Sequence, residues 1–180
     1  MNLPERVETE RLLLRWPTDA DAEEIFARYA SDPVVTRYLL WPPHRTVEET
    51  REFLRKKDAE REKLGGKSWL LILRSSGVLL GSIGCRRVET HVLQFGYCLA
   101  HDSWGKGYAT EATRAMVKVW LDIPSIWRVQ AFCDPANVAS ARVLERAGLT
   151  YEGTLRKYVL SPNLDNELRD AHLYAQVRVR

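Results

Sequence analysis

A glycine-rich stretch, WGKGYATEA at residues 104–112, lies between a strand-like segment and a helix-like segment. The first backbone N–H groups of a helix have no partner within the helix, and the helix dipole adds partial positive charge there. Gly105 and Gly107 allow a bend that points several of these N–H groups into one concavity, which suits a phosphate. Lys106 would lie beside that phosphate, and the small side chain of Ala109 would let a bulky ligand approach. By itself the stretch is equally consistent with a tight turn that binds nothing.

Two better-known phosphate-binding motifs do not match this stretch. A P-loop requires Gly-Lys-Ser/Thr after a four-residue spacer that follows a first glycine, and the stretch lacks that order. A dinucleotide fingerprint requires a third spaced glycine and opens a βαβ unit, whereas the strand before this stretch belongs to a predicted antiparallel meander. Any anion site here is therefore of another kind.

The elements around the stretch predict a single α+β domain over residues 1–180. Short apolar runs bounded by turn residues predict strands, and runs preceded by capping residues predict helices. We predict strands at residues 10–16, 68–74, 78–88, 91–100, 127–134, 149–161 and 167–179, and helices at about 19–30, 46–64, 108–121 and 137–147. These elements predict a mixed, mostly antiparallel central sheet of about seven strands, flanked by about four helices.

The composition argues against several classes of protein. The chain has 180 residues, 45% of them hydrophobic and 28% charged, which is typical of one globular domain with its own core. Its formal net charge of +3 is small and dispersed, so we predict no nucleic-acid partner. No apolar run approaches the roughly 18–20 residues of a membrane span, and the N-terminal stretch lacks the apolar core of a secretory signal. We therefore expect a cytoplasmic protein with no membrane partner.

The cysteines and histidines do not predict metal or nucleophilic chemistry. Cys85, Cys98 and Cys133 are far apart in sequence, so we interpret them as small buried side chains rather than as metal ligands or redox groups. The four histidines are scattered and do not form a recognisable pair with a serine or cysteine nucleophile. We predict no metal.

Four further segments, together with the glycine-rich stretch, resemble the Gcn5-related N-acetyltransferase (GNAT) superfamily. The resemblance is strongest to its branch of ribosomal-protein N-terminal acetyltransferases (RimJ/RimL-like). The stretch at 104–112 resembles the coenzyme A pyrophosphate loop, Q/R-x-x-G-x-G/A, with Trp104 replacing Gln or Arg and with Gly107 and Ala109 matching. ETERLLLR, FGYCL, NVASARVLERAGLTYEGTLR and RDAHLYA resemble the opening strand, the GY strand, the N-x-x-S signature and the closing strand of that branch. The resemblance spans nearly the whole chain and favours a loop that holds a pyrophosphate.

The resemblance implies direct transfer of an acetyl group from acetyl-coenzyme A to an amine, without an acyl-enzyme. It places the coenzyme against the backbone of Tyr97, Cys98 and Leu99 and against the loop formed by Trp104, Gly105, Lys106, Gly107, Tyr108, Ala109 and Thr110. A backbone N–H near Leu99 would donate to the thioester oxygen as it becomes an oxyanion.

Three residues of the N-x-x-S signature are further candidates. Asn137 would bind the coenzyme arm, although a plain helix N-cap explains it equally well. Ser140 matches the position of a hydroxyl near the coenzyme sulfur, where it would protonate the departing thiolate directly or through a water; a surface serine is the alternative. Arg142 would meet a coenzyme phosphate or would be a solvated surface charge.

The general base is not identified by the sequence. Where relatives often carry an acidic residue before the GY pair, this chain has Gln94. Glu89, His91 and Glu152 are candidates, and none is favoured over the others. Asp170 and Tyr174 match the closing-strand pattern, where we expect a structural role.

The acceptor pocket is predicted from the resemblance alone. It would be formed by Tyr38, Trp41, His44, Tyr158 and the loop SPNLDNE, although aromatic side chains in such positions also pack as a lid. We expect an acetyl-coenzyme A-dependent N-acetyltransferase that acts on a protein or peptide α-amine. The alternatives are a small-molecule amine acceptor, a longer acyl donor, a coenzyme-binding sensor without catalysis and a scaffold that binds no coenzyme. The sequence does not distinguish a monomer from a homodimer.

Overall fold

One mixed β-sheet forms the centre of the protein. The computed structural model describes residues 2–63 and 65–179. Within them the strands are Arg6–Glu8 (β1), Leu12–Arg15 (β2), Lys67–Leu73 (β3), Leu79–Glu89 (β4), Val92–Leu99 (β5), Arg128–Cys133 (β6), Thr150–Leu160 (β7) and Leu168–Val177 (β8). They lie in the order β1-β2-β3-β4-β5-β6-β8-β7. Neighbouring strands are antiparallel except β5 and β6, which are parallel, so the sheet is mixed and mostly antiparallel as predicted.

The described residues also contain five α-helices: Ala22–Ile25 (α1), Pro33–Thr36 (α2), Val47–Lys63 (α3), Tyr108–Leu121 (α4) and Val138–Arg146 (α5). Leu64, which was predicted to belong to α3, lies outside the described residues. None of these helices combines the length and the apolar character needed to cross a bilayer.

Within the described residues the sheet has one strand more than the predicted number of about seven. Strand β1 was not predicted because its three residues, RVE, carry no apolar run, and β1 is held by backbone pairing with β2. The helix predicted at 19–30 is a 3₁₀ turn, Asp19–Asp21, followed by α1 and a π-helical turn, Phe26–Ala30.

Helix α2 was also missed, since Asp32-Pro33 was interpreted only as a helix stop. The Asp32 carboxylate accepts a hydrogen bond from the Val34 N–H at 2.7 Å, and Pro33 occupies the first helical position. The same two residues therefore begin the next helix.

Helices cover both faces of the sheet. On one face Trp120 of α4 is fully buried and packs against Trp69 of β3 and Phe95 of β5, with ring centroids 6.1 and 5.3 Å away. On the other face Ile25 and Tyr29 pack against apolar side chains of β3 and β4. Strands β5 and β6 meet in the middle of this sheet.

Candidate active site

The sheet opens between β5 and β6. In the described part of the chain the two strands pair only along Val92–Gln94 and Arg128–Gln130. Beyond these residues β5 continues for five residues with β4 as its pairing partner. An extended ligand can therefore lie along the free side of β5.

Backbone groups of β5 point into this opening. The Ala100 N–H donates to the Leu80 carbonyl oxygen at 2.8 Å, which fixes the hydrogen-bonded positions of the β4–β5 ladder. Because these positions alternate, the N–H and C=O groups of Tyr97 and Leu99 point away from β4. The Leu99 carbonyl accepts from the Trp104 indole N–H at 2.8 Å, while the Leu99 N–H faces the opening. This is the group expected to stabilise an oxyanion.

The glycine loop follows directly and has the backbone geometry of an anion cradle. Gly105 and Gly107 have φ of 74° and 81°, a left-handed conformation that glycine adopts without steric cost. Gly107 is the N-cap of α4, and because it has no side chain, it offers no side-chain acceptor to the first N–H groups of the helix. The N–H groups of the first turn, at Tyr108, Ala109 and Thr110, are therefore left for a ligand.

Residues just before β2 hold this loop in place. The Arg11 guanidinium donates to the Lys106 carbonyl at 3.0 Å and to the Glu111 carboxylate at 2.6 Å, and it lies 4.7 Å from the Tyr108 ring centroid. The same carboxylate accepts from the Arg11 N–H and from the Thr9 hydroxyl. Burial opposes ionisation of Glu111, but these hydrogen bonds outweigh it and lower the pKa of Glu111.

The other end of the loop is held by the π-helical turn Phe26–Ala30 and by β5. Asp102 accepts two hydrogen bonds from the Arg28 guanidinium, at 2.8 and 2.9 Å. Trp104 packs on the His101 ring, with centroids 4.7 Å apart, in addition to its bond with Leu99. The sequence predicted Trp104 in the coenzyme site. In the structure its indole hydrogen bond joins the loop to the end of β5. Neither Arg11 nor Arg28 was predicted, because their partners are about a hundred and about seventy residues away.

Helix α5 brings a hydroxyl group to the opening. The Ser140 hydroxyl lies 2.9 Å from the Tyr97 hydroxyl of β5. Asn137 accepts from the Ser140 N–H at 3.1 Å and is thus the helix N-cap that the sequence offered as an alternative. Arg142 is exposed. It follows Ser140 by two residues, and because each residue turns an α-helix by about 100°, its side chain leaves α5 on a different side from that of Ser140.

None of the three cysteines forms a disulfide bond within the described residues. Cys133 is buried beside Ser140, and burial together with the Asp134 carboxylate raises the pKa of Cys133 to about 11, against a hydrogen bond with Ser140. Its thiol is therefore protonated near neutral pH. Cys98 lies half-buried on the other side of the sheet from Tyr97, with its sulfur 3.5 Å from the Ser82 hydroxyl.

Two of the three candidate bases lie away from this chemistry, and the third is paired with an arginine. Glu89 and His91 are at the β4–β5 turn, at the opposite end of β5 from Leu99, and β5 spans about 23 Å from Val92 to Leu99 at the rise of an extended strand. Glu152 is bound by both terminal nitrogens of Arg128, and this hydrogen bonding lowers the pKa of Glu152. The polar side chain at the fork of β5 and β6 is Gln94, a buried amide whose oxygen lies 3.4 Å from the Gln130 amide nitrogen.

The predicted acceptor residues do not form one set. Trp41 packs in a cluster with His44 and Phe53, each about 5 Å away between ring centroids, which is the lid packing offered as the alternative. Tyr158 is 49% exposed and meets Phe132 edge-on. Tyr38 is half-buried under Arg37.

Asn163, which lies in the SPNLDNE loop of the predicted acceptor pocket, joins the two segments that carry these aromatic residues. Its amide nitrogen lies 2.7, 3.1 and 2.8 Å from the carbonyl oxygens of Thr36, Leu39 and Trp41. The loop between β7 and β8 is thereby fixed to the connector between α2 and α3. The sequence gives no signal for such a contact, because turn formation alone explains the presence of an asparagine after a proline.

Comparisons with known proteins agree with this geometry. Residues 11–150 match the family described as "Acetyltransferase (GNAT) domain". The chain is 31% identical over 161 residues to YkkB, an uncharacterized protein of Bacillus subtilis, covering 88% of this chain and 92% of YkkB.

Two solved structures share the fold. The microcin C7 self-immunity acetyltransferase MccE, in complex with acetyl-CoA and AMP, superposes with a TM-score of 0.86 at 19% identity, covering 97% of each chain. RimL, a ribosomal L7/L12 alpha-N-protein acetyltransferase in complex with coenzyme A, gives a TM-score of 0.84 at 20% identity, covering 96% of this chain and 98% of RimL.

A sheet opened beside a glycine loop at a helix N-terminus, in a chain that matches a transferase family over most of its length, defines an acyltransferase. The chain belongs to the GNAT family of acetyltransferases. It is an N-acetyltransferase, as predicted from the sequence.

Proposed function

We propose that this protein transfers the acetyl group of acetyl-coenzyme A directly to the α-amine of a protein or peptide. The observation that carries the proposal is the opening between β5 and β6, which has the glycine loop at one end and the Tyr97–Ser140 hydroxyl pair beside it. The loop would hold the pyrophosphate of the coenzyme, and the free side of β5 would pair with its pantetheine arm.

The residues at the opening supply the steps of a direct transfer. The amine nitrogen attacks the thioester carbon, and the Leu99 N–H donates to the oxygen as it becomes negative. When the carbon–sulfur bond breaks, the Ser140 hydroxyl gives its proton to the thiolate. The proton lost by the amine passes to solvent, from which Ser140 is reprotonated.

The polar group at the fork favours an α-amine over a lysine side chain. Gln94 is an amide and takes no proton from an ammonium. A peptide α-amine has a pKa of about 7.7–8.0, so roughly a quarter to two fifths of it is neutral at pH 7.5. A lysine amine has a pKa of about 10.4, so only about 0.1% of it is neutral at the same pH. An α-amine therefore needs the least help to attack.

One face of the sheet is covered by helices only in part and also suits a peptide. Gly96 of β5 and Arg86 of β4 are exposed at its centre, and Tyr158 is half-exposed at its edge. An extended N-terminus can approach the opening over this face. RimL, which shares the fold, is an alpha-N-protein acetyltransferase, and this likeness supports the same acceptor class here.

A coenzyme-binding sensor is the second candidate. It is favoured by the position of Glu89 and His91 at the far end of β5 and by the pairing of Glu152 with Arg128, which leave Gln94 at the fork. A small-molecule amine acceptor remains the alternative among enzymes.

Thiol release from acetyl-coenzyme A against matched acceptors tests the proposal. We expect release with a lysine-free peptide that has a free N-terminus, and little with a peptide that has a blocked N-terminus and an internal lysine. Release only with amino acids, polyamines or aminoglycosides would show a small-molecule enzyme. A raised melting temperature with acetyl-coenzyme A but no release from any acceptor would favour the sensor.

A further inference from the structure

The Tyr97 phenol bridges the opening in the sheet. Its oxygen lies 2.9 Å from the Ser140 hydroxyl and 3.2 Å from the Ser140 carbonyl oxygen. Tyr97 belongs to the part of β5 that has left β6, and Ser140 belongs to α5. The contact therefore joins a strand and a helix at the place where the backbone ladder is interrupted.

The phenol remains a hydrogen-bond donor at working pH. Burial raises the pKa of Tyr97 far above its ordinary value of 10.0, and the hydrogen bond with Ser140 offsets only part of that effect. The Tyr97 ring is held in a stacked arrangement with Phe95, with centroids 6.5 Å apart. A neutral, fixed phenol cannot serve as a base near neutral pH, but it can direct a neighbouring hydroxyl.

The direction of this hydrogen bond decides whether Ser140 can act as an acid. Each hydroxyl carries one proton and can also accept. If Ser140 donated to Tyr97, its proton would be occupied and would not point at a leaving thiolate. If Tyr97 donates to the Ser140 hydroxyl, which at 2.9 Å is nearer to the phenol than the Ser140 carbonyl oxygen at 3.2 Å, the serine proton is left for another acceptor.

We propose that Tyr97 is a positioning residue that donates to the Ser140 oxygen and leaves the serine proton aimed at the departing coenzyme thiolate. The inference rests on the proposed function. As the carbon–sulfur bond breaks, the proton moves from the Ser140 oxygen to sulfur, and the negative charge left on the serine oxygen is stabilised by the hydrogen bond from Tyr97. Tyr97 itself transfers no proton.

The test is a double-mutant cycle on kcat with Tyr97→Phe and Ser140→Ala. Tyr97→Phe keeps the ring and removes one hydrogen bond, so we expect kcat to fall about five- to tenfold, with the KM for acetyl-coenzyme A and the melting-temperature shift it causes unchanged. In the Ser140→Ala background the same substitution should lower kcat by less than about twofold, because the hydroxyl that Tyr97 positions is absent from that variant.

Tyr174→Phe is the matched control. Tyr174 is also a buried tyrosine, and its hydroxyl lies 3.3 Å from Glu145. We expect kcat within about twofold of the parent.

Three outcomes would overturn the inference while leaving the proposed function intact: an unchanged kcat in Tyr97→Phe, an equal loss in the parent and Ser140→Ala backgrounds, or an equal loss in Tyr174→Phe. Absence of thiol release by the parent protein with every acceptor would overturn both proposals.

Discussion

At the scale of single residues, the coenzyme loop depends on two backbone conformations. Gly107 combines a φ of 81° with its place as the N-cap of α4, so one position sets the bend and also the direction of the first helical N–H groups. A Cβ atom there would lie 3.4 Å from Arg11, the residue that holds the loop. Gly105 has open space around it, so its requirement is conformational.

Gly107→Val should weaken binding of acetyl-coenzyme A at least about tenfold. The left-handed conformation costs a branched residue about 1–2 kcal/mol or more, and relaxation of that strain moves the N–H groups away from the phosphates. Calorimetric titration with acetyl-coenzyme A measures the affinity directly.

Gly77→Val is the control for this prediction. Gly77 has a φ of 73° in the turn between β3 and β4, and a Cβ atom there would meet nothing within 4 Å beyond its own chain neighbours. The substitution should destabilise the fold to a similar extent but leave coenzyme affinity unchanged. Equal affinity in the two variants would mean that the loop does not hold the phosphates.

At the scale of elements, Asn163 determines how the β7–β8 loop meets the α2–α3 connector. One amide nitrogen faces three carbonyl oxygens, and each contact is within hydrogen-bond distance. Asn163→Ala should raise the KM for the amine acceptor several-fold without changing the KM for acetyl-coenzyme A. The reason is that the β7–β8 loop belongs to the predicted acceptor pocket and not to the predicted coenzyme site. Steady-state kinetics with each substrate varied in turn measures the two constants.

Asn163→Asp sharpens this prediction. A carboxylate of nearly the same shape would face the same three oxygens without a proton to donate, so it should be more damaging than alanine. An acceptor KM equal to the parent value in both variants would show that this loop plays no part in acceptor binding.

The elements also show what the sequence can and cannot predict. Helix α4 begins and ends at the predicted residues, since the glycines before it and the apolar spacing within it are local signals. Strand β1 and helix α2 were missed because pairing with β2 and a capping carboxylate, rather than an apolar pattern, define them.

The candidate site divides in the same way. The glycine loop and Ser140 were predicted because their motifs are contiguous in sequence. The Arg11–Glu111 pair, the Tyr97–Ser140 contact and the Asn163 contacts join residues 100, 43 and more than 120 positions apart, and no local pattern encodes them. The distance of Glu89 and His91 from Leu99 and the pairing of Glu152 with Arg128 likewise follow only from the fold.

At the scale of the whole molecule, buried hydroxyl and thiol groups should limit stability at alkaline pH. Burial, with the Asp134 carboxylate, raises the pKa of Cys133 from 9.0 to about 11, and burial, with the nearby Cys133 and Glu145, raises the pKa of Tyr174 from 10.0 to about 12. The pKa of Tyr97 is raised by burial as well. The unfolded chain therefore loses these protons before the folded chain does.

The sign of the effect follows from proton binding. Above pH 9 the unfolded state binds fewer protons than the folded state, so the free energy of unfolding falls as pH rises. The stabilising contribution of Cys133 is complete below pH 9 and is lost between pH 9 and about 11. The slope is at most about 1.4 kcal/mol per pH unit for each such group.

Urea unfolding between pH 7 and 11, with a phosphine reductant to keep the thiols free, measures this dependence. We expect a constant free energy of unfolding from pH 7 to 8.5 and a steady decline above pH 9. Cys133→Ala should be less stable than the parent at pH 7 because it loses buried contacts, but its decline between pH 9 and 11 should be shallower, so the two curves converge. Parallel curves would mean that the Cys133 thiol ionises equally easily in both states, and that the helix α5 side of the opening admits more water than its burial indicates.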